Sequence, residues 1–289
     1  MTGYKGTRDA PPVGTRMLPE GTFANDVVIV TGGGSGIGKG IAVEFARCGA
    51  SVVILGRDPE RRQRGIEAVE AAGGRAIGVA CDIRHADQIK AAFDEAEAAF
   101  GPVTVLVNNA AGNFPAAAED ISANGFQAVV GIVLGGTFLM STEFARRRIA
   151  DGRGGAILNI GATYAWTGGP GTAPSAAAKA GVSNLTQSLA VEWGPYDIRV
   201  NCIAPGLYVH GDRRAHMKLD GDDDVEDHQP ALRTGLVHEL GWAATYLCSD
   251  YAAFCSGHTF VLDGANWLRR TLRMPKFEPV RNWLSKRST

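Results

Sequence analysis

The sequence predicts an α/β fold of the Rossmann-like, doubly wound class, in which helices cover both faces of a parallel sheet of about seven strands. Short apolar runs alternate with amphipathic segments along the chain, and a glycine-rich stretch, TGGGSGIGKG, follows the first run. No linker, repeat or break in composition divides the 289 residues. We therefore expect one domain over residues 1–289.

Seven apolar runs are the candidate strands, and in chain order they are DVVIVTG, SVVILGR, RAIGVACD, VTVLVNN, GAILNIG, IRVNCIAPG and HTFVLDG. Each is short and apolar on both faces, as in a parallel sheet that helices cover on both sides. Segments such as IEAVEAAG and IKAAFDEAEAAF lie between them and have helical periodicity.

Two segments depart from this alternation. Residues 209–235 contain the acidic stretch LDGDDDVEDHQP and are expected to form an exposed loop or a lid over a site. Residues 269–289 form a basic tail, for which ligand binding and packing against a neighbouring subunit are equally compatible.

Composition excludes several classes of function. The net charge is −1, whereas a nucleic-acid surface would show a basic excess. The N-terminal 23 residues lack the apolar centre of a secretion signal, and no later run approaches the roughly 20 apolar residues of a membrane span. The five cysteines and six histidines show no metal-ligand spacing, so we expect free thiols, no metal and a cytoplasmic protein.

The glycine-rich stretch predicts a dinucleotide site. Gly32, Gly36 and Gly38 would let the backbone turn tightly and approach a pyrophosphate at the N-terminus of the following helix. The second strand then ends in LGRDPE, with Arg57 where an NAD enzyme usually carries a carboxylate. A guanidinium there suits a 2′-phosphate, while Asp58 suits a helix cap. This pattern favours NADPH over NADH.

These motifs resemble the short-chain dehydrogenase/reductase family over nearly the whole chain. The matching segments are TGGGSGIG, CDI, NNAAG and APG. The resemblance implies a larger set of cofactor-binding residues: Thr31, Gly32, Gly34, Ser35, Gly36, Ile37, Gly38, Arg57, Asp82, Ile83, Asn109, Ala110, Lys179, Pro205, Gly206, Leu207 and Tyr208.

One position departs from the usual family pattern, which has a Tyr-x-x-x-Lys pair. Lys179 is present, but Ser175 stands in the tyrosine position. A serine hydroxyl is a much weaker acid than a phenol. Ordinary ketone and alcohol chemistry is therefore in question.

A branch of the family, the 2,4-dienoyl-CoA reductases, resembles this chain in NNAAGNF, GATYAWTGG and PSAAAKAG. This resemblance implies that Tyr164, Ser175 and Lys179 act together and that Asn113 lies beside the substrate carbonyl. It also implies an acyl-CoA substrate held by Arg84, Phe114 and Ser122. Arg213 and Arg214 are candidates to replace a CoA-contacting arginine of the branch, in whose place this chain has His216.

The chemistry that the branch implies is reduction of a 2,4-dienoyl-CoA in the degradation of unsaturated fatty acids. Hydride is accepted at C5, and Tyr164 and Asn113 stabilise the dienolate oxygen as an oxyanion hole does. Lys179 is expected to hold the nicotinamide ribose and Ser175 to support the ring. Both 2-enoyl and 3-enoyl products remain open, and the family implies a homotetramer.

Each side chain also has an ordinary structural interpretation. Tyr164 could pack against Trp166, Asn113 could cap a turn, and Ser175 could cap a helix. Two other functions therefore remain: a carbonyl reductase of 3-oxoacyl thioesters or ketones that uses Tyr164 as its acid, and a catalytically inactive nucleotide-binding scaffold.

Overall fold

The computed structural model describes residues 6–208, 229–268 and 280. Seven strands form one sheet: β1 Val27–Thr31, β2 Ser51–Gly56, β3 Arg75–Ala80, β4 Val103–Asn108, β5 Gly155–Ile160, β6 Ile198–Pro205 and β7 Thr259–Leu262. The order is β3-β2-β1-β4-β5-β6-β7, and every neighbouring pair is parallel. The predicted fold class and all seven predicted strands are confirmed.

Helices cover both faces of the sheet. Their bounds are α1 Gly36–Arg47, α2 Pro59–Ala71, α3 Ala86–Phe100, α4 Ala123–Val130, α5 Gly136–Ala150, α6 Tyr164–Thr167, α7 Ala173–Trp193 and α8 Val237–Cys248. On one face Phe45 of α1 and Leu240 of α8 belong to a single apolar cluster. On the other face Phe93 of α3, Phe144 of α5 and Leu189 of α7 belong to a second cluster. Burial of apolar side chains on both faces explains the continuous hydrophobic runs of the strands.

The strand order reverses between β1 and β4. The chain leaves β1 toward β2 on one side and returns through β4 on the other. At such a point the connections diverge and open a crevice at the carboxyl ends of the strands, where ligands bind in doubly wound folds. The glycine-rich segment after β1 and the NNAAG segment after β4 both lie at this crevice.

A long helical stretch runs from Ala123 to Ala150, in which a π-helical turn, Gly131–Gly135, joins α4 to α5. By length and composition alone it could cross a membrane, and half of its most apolar window is buried inside the protein. The expectation that no run approaches the apolar length of a span is therefore wrong for this stretch. Its α5 part packs in the second apolar cluster, and Val129 and Val133 pack with Ala178 and Val182 of α7, so the stretch serves here as a core helix.

Part of the predicted loop or lid at 209–235 is described. Residues 209–228 lie outside the described residues, and the chain resumes at Gln229. The Gly235 amide donates to the Leu207 carbonyl at 2.9 Å, and Tyr208 pairs with Gly235 in an isolated bridge. The segment therefore leaves and rejoins the fold at one place, and its role as a lid stays a prediction. The tail at 269–289 lies outside the described residues except for residue 280.

Candidate active site

A cleft of about 820 Å³ lies at the crevice between β1 and β4. The predicted cofactor-binding residues that line it are Gly32, Gly34, Ser35, Gly36, Ile37, Gly38, Arg57, Asp82, Ile83, Asn109 and Ala110. The structure thus brings both halves of the predicted adenine and pyrophosphate site together.

The glycine-rich turn into α1 depends on two backbone positions. Gly32 has φ 66°, a left-handed conformation that favours glycine. A Cβ on Gly34 would lie 2.2 Å from the Arg61 carbonyl oxygen, so α2 can approach the turn this closely only at a glycine. Ser35 places no side-chain cap on α1. The N-terminus of α1 therefore presents backbone amides to the cleft, and such amides attract anionic oxygens.

Thr31 lies beneath the cleft and does not line it. Its side chain is fully buried, and its Oγ1 accepts from the amides of Asn109 and Ala110, each at 2.9 Å. The same hydroxyl donates to the Val107 carbonyl at 3.2 Å. Thr31, predicted as a cofactor contact, therefore acts by fixing the β4 loop against the β1 turn.

Arginines surround the end of the cleft beyond β2. The Asp58 carboxylate accepts from the Arg61 amide at 3.1 Å and caps α2, as predicted. Arg57 is 65% exposed at its side chain, and Arg61 also lines the cleft. Arg62 donates to the carbonyl oxygens of Gly56 and Arg57 and so fixes the backbone of this turn. Arg57, Arg61 and Arg62 all line this end of the cleft.

Asp82, just after the end of β3, forms ion pairs with two arginines. Arg84 chelates its carboxylate, with Nε 2.9 Å from Oδ1, and Arg57 Nη1 lies 3.7 Å from Oδ2. The hydrogen bonds from Arg84, together with the charges of both arginines, lower the pKa of Asp82 to about 2. Arg84 does not line the cleft, and its guanidinium is engaged by Asp82, so its predicted contact with substrate stays a prediction.

The structure brings Tyr164, Ser175 and Lys179 together. Ser175 and Lys179 are one turn apart on α7, and both are buried, at 2% and 6% exposure. The Tyr164 hydroxyl lies 3.1 Å from Ser175 Oγ. The phenol therefore stands outward from the serine that occupies the usual tyrosine position.

Lys179 reaches the carboxyl end of β5. Its ammonium donates to the carbonyl oxygen of Ile160. Burial lowers the pKa of Lys179 to about 8, and the neighbouring Cys202 opposes this shift. The side chain thus changes charge near the upper end of the physiological range.

The position of Tyr164 follows from two local turns. Helix α6 is a single turn that is followed directly by Gly168, whose φ of 71° lies in the left-handed region. A Cβ on Gly169 would lie 3.4 Å from Tyr164 Cβ, so the chain folds back closely over the phenol. Trp166 packs on Trp267, with ring centroids 5.6 Å apart. Tyr164 itself lies in the helical turn with its hydroxyl at Ser175, and not in a loop as the structural alternative required.

Asn113 lies on the loop after β4. Its side chain is exposed and, within the described ranges, makes no hydrogen bond. The loop meets the α6–α7 connection, where the Ala116 amide donates to the Gly171 carbonyl at 2.9 Å. Asn113 is thus on the same side of the sheet edge as Tyr164, while the predicted pairing of their donors stays a prediction.

The predicted substrate residues separate into two groups. Ser122 caps α4 by accepting from the Gly125 amide at 3.1 Å, and Phe114 is 40% exposed beside that cap. Arg213 and Arg214 lie outside the described residues. Phe114 is therefore the substrate candidate with an open apolar surface.

The segment after β6 was predicted to pass the nicotinamide. The Gly206 amide donates to the Leu262 carbonyl at 2.9 Å, so this segment is held against β7. Pro205 and Leu207 are partly exposed. Tyr208 is 4% exposed and its hydroxyl donates to the same carbonyl at 3.2 Å, so its side chain belongs to the core. Contact of this segment with a cofactor stays a prediction.

The cleft also holds residues that the sequence analysis did not assign as cofactor contacts, although some of them stood in the motifs that it quoted: Leu55, Gly56, Asp58, Arg61, Arg62, Cys81, Ala111, Gly112 and Ile132. Most of them lie at or just after the carboxyl ends of β2, β3 and β4. The carboxyl ends of parallel strands meet at the same edge of a sheet, so the predicted strand ends could have identified these residues. Ile132 lies in the π-helical turn, for which the sequence carried no signal.

Comparison with known proteins gives one family. A family model described as enoyl-(acyl carrier protein) reductase matches residues 32–265. A probable 2,4-dienoyl-CoA reductase of Bacillus subtilis, described as (2E)-enoyl-CoA-producing, is 40% identical over 83% of this chain and 96% of its own length. The peroxisomal 2,4-dienoyl-CoA reductase of Arabidopsis thaliana, described as (3E)-enoyl-CoA-producing, is 39% identical over 86% and 87%.

Solved structures agree with this assignment. A short-chain dehydrogenase from Bacillus anthracis is 43% identical, with a TM-score of 0.79 over 86% of this chain and 99% of that one. The citronellol catabolism dehydrogenase of Pseudomonas aeruginosa is 36% identical, with a TM-score of 0.76 over 87% and 98%. Fold, cofactor cleft and relatives all lead to one conclusion: the chain belongs to the short-chain dehydrogenase/reductase family and is an oxidoreductase.

Proposed function

We propose that this protein reduces 2,4-dienoyl-CoA thioesters to enoyl-CoA with NADPH, in the degradation of unsaturated fatty acids. The observation that carries the proposal is the phenol of Tyr164, 3.1 Å from Ser175 Oγ and outward from it, with Lys179 one turn further along α7. The relatives named 2,4-dienoyl-CoA reductases support the reaction class.

The residues at the cleft fit a nicotinamide dinucleotide. The close approach of α2 at Gly34 and the amides at the start of α1 suit a pyrophosphate, and the cleft extends to Arg57 and Arg61. When bound, such a cofactor would supply a hydride to C5 of the conjugated thioester. Arg57 would bind a 2′-phosphate, and Asp58 is already committed as a helix cap. These features favour NADPH over NADH.

Tyr164 would donate to the thioester oxygen, on which negative charge grows as the diene is reduced. A donor directed at that oxygen is more valuable in the transition state than in the bound substrate, so it accelerates the reaction. Ser175, buried and hydrogen-bonded to the phenol, fixes the direction of the hydroxyl. Asn113 would add a second donor, since its exposed amide makes no hydrogen bond within the part of the chain that the structure describes.

Lys179 would hold the nicotinamide ribose and, while charged, favour anionic character nearby. Its ammonium is buried and donates to the Ile160 carbonyl at the end of β5. A fixed positive charge in a site that excludes water acts more strongly than one in solvent. This role is distinct from proton donation to the substrate.

The position of reprotonation distinguishes two products. The relatives differ here, since the bacterial protein is described as (2E)-enoyl-CoA-producing and the plant protein as (3E)-enoyl-CoA-producing. Identification of the product double bond by NMR would decide between them for this chain.

A panel of thioesters tests the proposal. NADPH oxidation is measured with 2,4-dienoyl-, 2-enoyl- and 3-oxoacyl-CoA and with simple ketones, and Tyr164→Phe is the matched inactive control. Turnover with the dienoyl thioesters alone is expected. Faster turnover of ketones or 3-oxoacyl thioesters would favour the carbonyl reductase. Tight NADPH binding without turnover on any substrate would favour the scaffold.

The assembly and location proposed with this function are a homotetramer in the cytoplasm. Phe126 and Phe138 on the long helical stretch and Val191 on α7 are 39%, 46% and 80% exposed, which leaves apolar surface for a second copy. All five cysteines are free, as suits a reducing compartment. Light scattering after size exclusion, and fractionation of cells, would test the two points.

A further inference from the structure

Two tryptophans form an exposed aromatic wall beside the phenol of the proposed acid. Trp166 lies two residues after Tyr164 in α6, and its ring packs on Trp267 at 5.6 Å with the planes inclined by 42°. Trp166 is 46% exposed, so the pair presents an open apolar surface next to the site. Large apolar side chains that stay exposed beside reactive groups commonly serve to bind a ligand.

Each tryptophan of the wall is held in place by the element that carries it, Trp267 by the turn after β7 and Trp166 by α6. Trp267 lies in the short turn Asn266–Leu268 after β7, and its amide donates to the Asp263 carboxylate at 2.7 Å. Trp166 is fixed by α6, which packs on α7. The contact between the rings therefore ties the active-site turn after β5 to the turn after β7.

An aromatic side chain also borders the site on the side of β4. Phe114 is 40% exposed, and the Ala116 amide two residues later donates to the Gly171 carbonyl on the α6–α7 connection. In the order of the strands, Phe114 follows β4 on one side of Tyr164, which follows β5, and Trp267 follows β7 on the other side. A substrate whose carbonyl meets the phenol has one end on each side.

We propose that the Trp166–Trp267 wall binds the alkyl tail of the acyl group and determines the chain-length preference of the enzyme. This inference rests on the proposed function for the identity of the thioester. The exposed surface of the ring pair is apolar, which suits an alkyl tail and not the phosphates of CoA. The proposal thereby places the CoA moiety on the side of Phe114.

The strength of the effect follows from the area that a wall can cover. A methylene moved fully from water to an apolar surrounding gains roughly fourfold in its equilibrium constant. A wall that covers one side gives about half of that free energy, so about twofold per methylene. Each two-carbon extension beyond the diene should then improve kcat/KM about fourfold in the wild-type enzyme until the tail passes the rings.

The first measurement compares 2,4-dienoyl-CoA substrates of six, eight, ten and twelve carbons. Trp166→Ala and Trp267→Ala should lose the gain with chain length while they keep near-normal kcat/KM for the shortest substrate. Trp166→Phe should retain part of the gain. Tyr196→Ala is the matched control, because this exposed tyrosine precedes β6, at the amino end of that strand, whereas the site lies at the carboxyl ends, and the change should leave the gain unchanged.

A binding measurement separates this inference from the proposed reaction. The NADP⁺-saturated protein is titrated with saturated acyl-CoAs of the same lengths and followed by tryptophan fluorescence, which needs no turnover. Wild-type affinity should rise with length and the alanine variants should show a flat series. If dienoyl turnover is normal but the variants keep the wild-type chain-length gain, the wall is structural and the inference is wrong, while the proposed function stands.

A third arm identifies the part of the substrate that is bound. Pantetheine thioesters of the same acyl groups lack the nucleotide of CoA. If Trp166→Ala impairs CoA thioesters of every length equally and has no effect on pantetheine thioesters, the rings stack on the adenine, and the assignment to the alkyl tail is refuted.

Discussion

Replacement of Tyr164 by phenylalanine is the most direct test of the site. The change removes one hydroxyl and keeps the ring against Gly169. In the resting protein it deletes a single hydrogen bond, to Ser175 Oγ at 3.1 Å, in a partly exposed place. Folding stability should therefore fall by no more than about 1 kcal/mol.

The effect on turnover should be much larger than the effect on stability. A donor aimed at an oxygen that becomes charged in the transition state is typically worth about 10² to 10³ in turnover. In the proposed mechanism the phenol meets the thioester oxygen and not the cofactor, so the dissociation constant for NADPH should barely change. The loss should appear in kcat and in kcat/KM together, because the interaction is made chiefly in the transition state.

The assay is steady-state NADPH oxidation with a 2,4-dienoyl-CoA, together with a cofactor titration for each variant. Asn113→Ala should behave as Tyr164→Phe does, and the double variant should lose less than the product of the two single losses if both donors serve one oxygen. Ser175→Ala should be milder, because its hydroxyl only directs the phenol. Near-normal turnover of Tyr164→Phe combined with inactive Ser175→Ala would refute this reasoning and return the acid to α7.

Three further predictions concern the cofactor, the pH profile and the serine. Arg57→Ala should lower the preference for NADPH over NADH by about 10-fold or more, since hydrogen bonds to charged groups are worth about 1.5 to 3 kcal/mol. Arg64→Ala, the same change on α2 outside the cleft, is the control. Equal dissociation constants for the two cofactors in the wild type would contradict the assignment. Because burial lowers the pKa of Lys179 from 10.5 to about 8, kcat/KM should fall as the pH rises through about 8. Lys179→Arg should keep its residual activity at pH 9. A wild-type profile that stays flat above pH 9 would count against a charged lysine. Ser175→Tyr should not create an efficient ketone reductase, because a second phenol would crowd the first at 3.1 Å; a large gain in ketone turnover with dienoyl activity retained would show the opposite.

The fold could be predicted from the sequence because its determinants are local. Each strand is a short apolar run, and Gly32 is favoured by its own left-handed backbone conformation. The cap at Asp58 was predictable for the same reason, since a cap needs only its own carboxylate and the amide three residues later. The buried side chain of Thr31 was not, because its partners after β4 are brought to it by sheet pairing between distant segments.

The candidate site was predictable in part. Ser175 and Lys179 share a helix face at four-residue spacing, which sequence periodicity gives directly. The contact of Tyr164 with Ser175 crosses a turn that no periodicity describes, and its expectation depended on family resemblance. Electrostatic partners were harder still: the ion pair of Arg84 with Asp82 was not predicted, and the contact of Arg84 with substrate stays a prediction. A long charged side chain can reach several partners, and the three-dimensional structure decides which of them it binds. The sequence alone does not show that choice.

The displacement of the phenol from α7 to α6 suits a conjugated substrate better than a ketone. In a ketone the carbon that accepts hydride also bears the oxygen that needs a proton, so the acid must lie one bond from the place of hydride transfer. In a dienoyl thioester the hydride is accepted at C5 while the charge grows on the oxygen at C1, at the far end of the conjugated chain. The acid must then lie further from the place of hydride transfer. Ser175 stands where the family usually carries its tyrosine, and the Tyr164 hydroxyl lies 3.1 Å from its Oγ. Under the proposed function, the exchange of tyrosine for serine on α7 would suit a substrate whose reacting carbon and charged oxygen are separated.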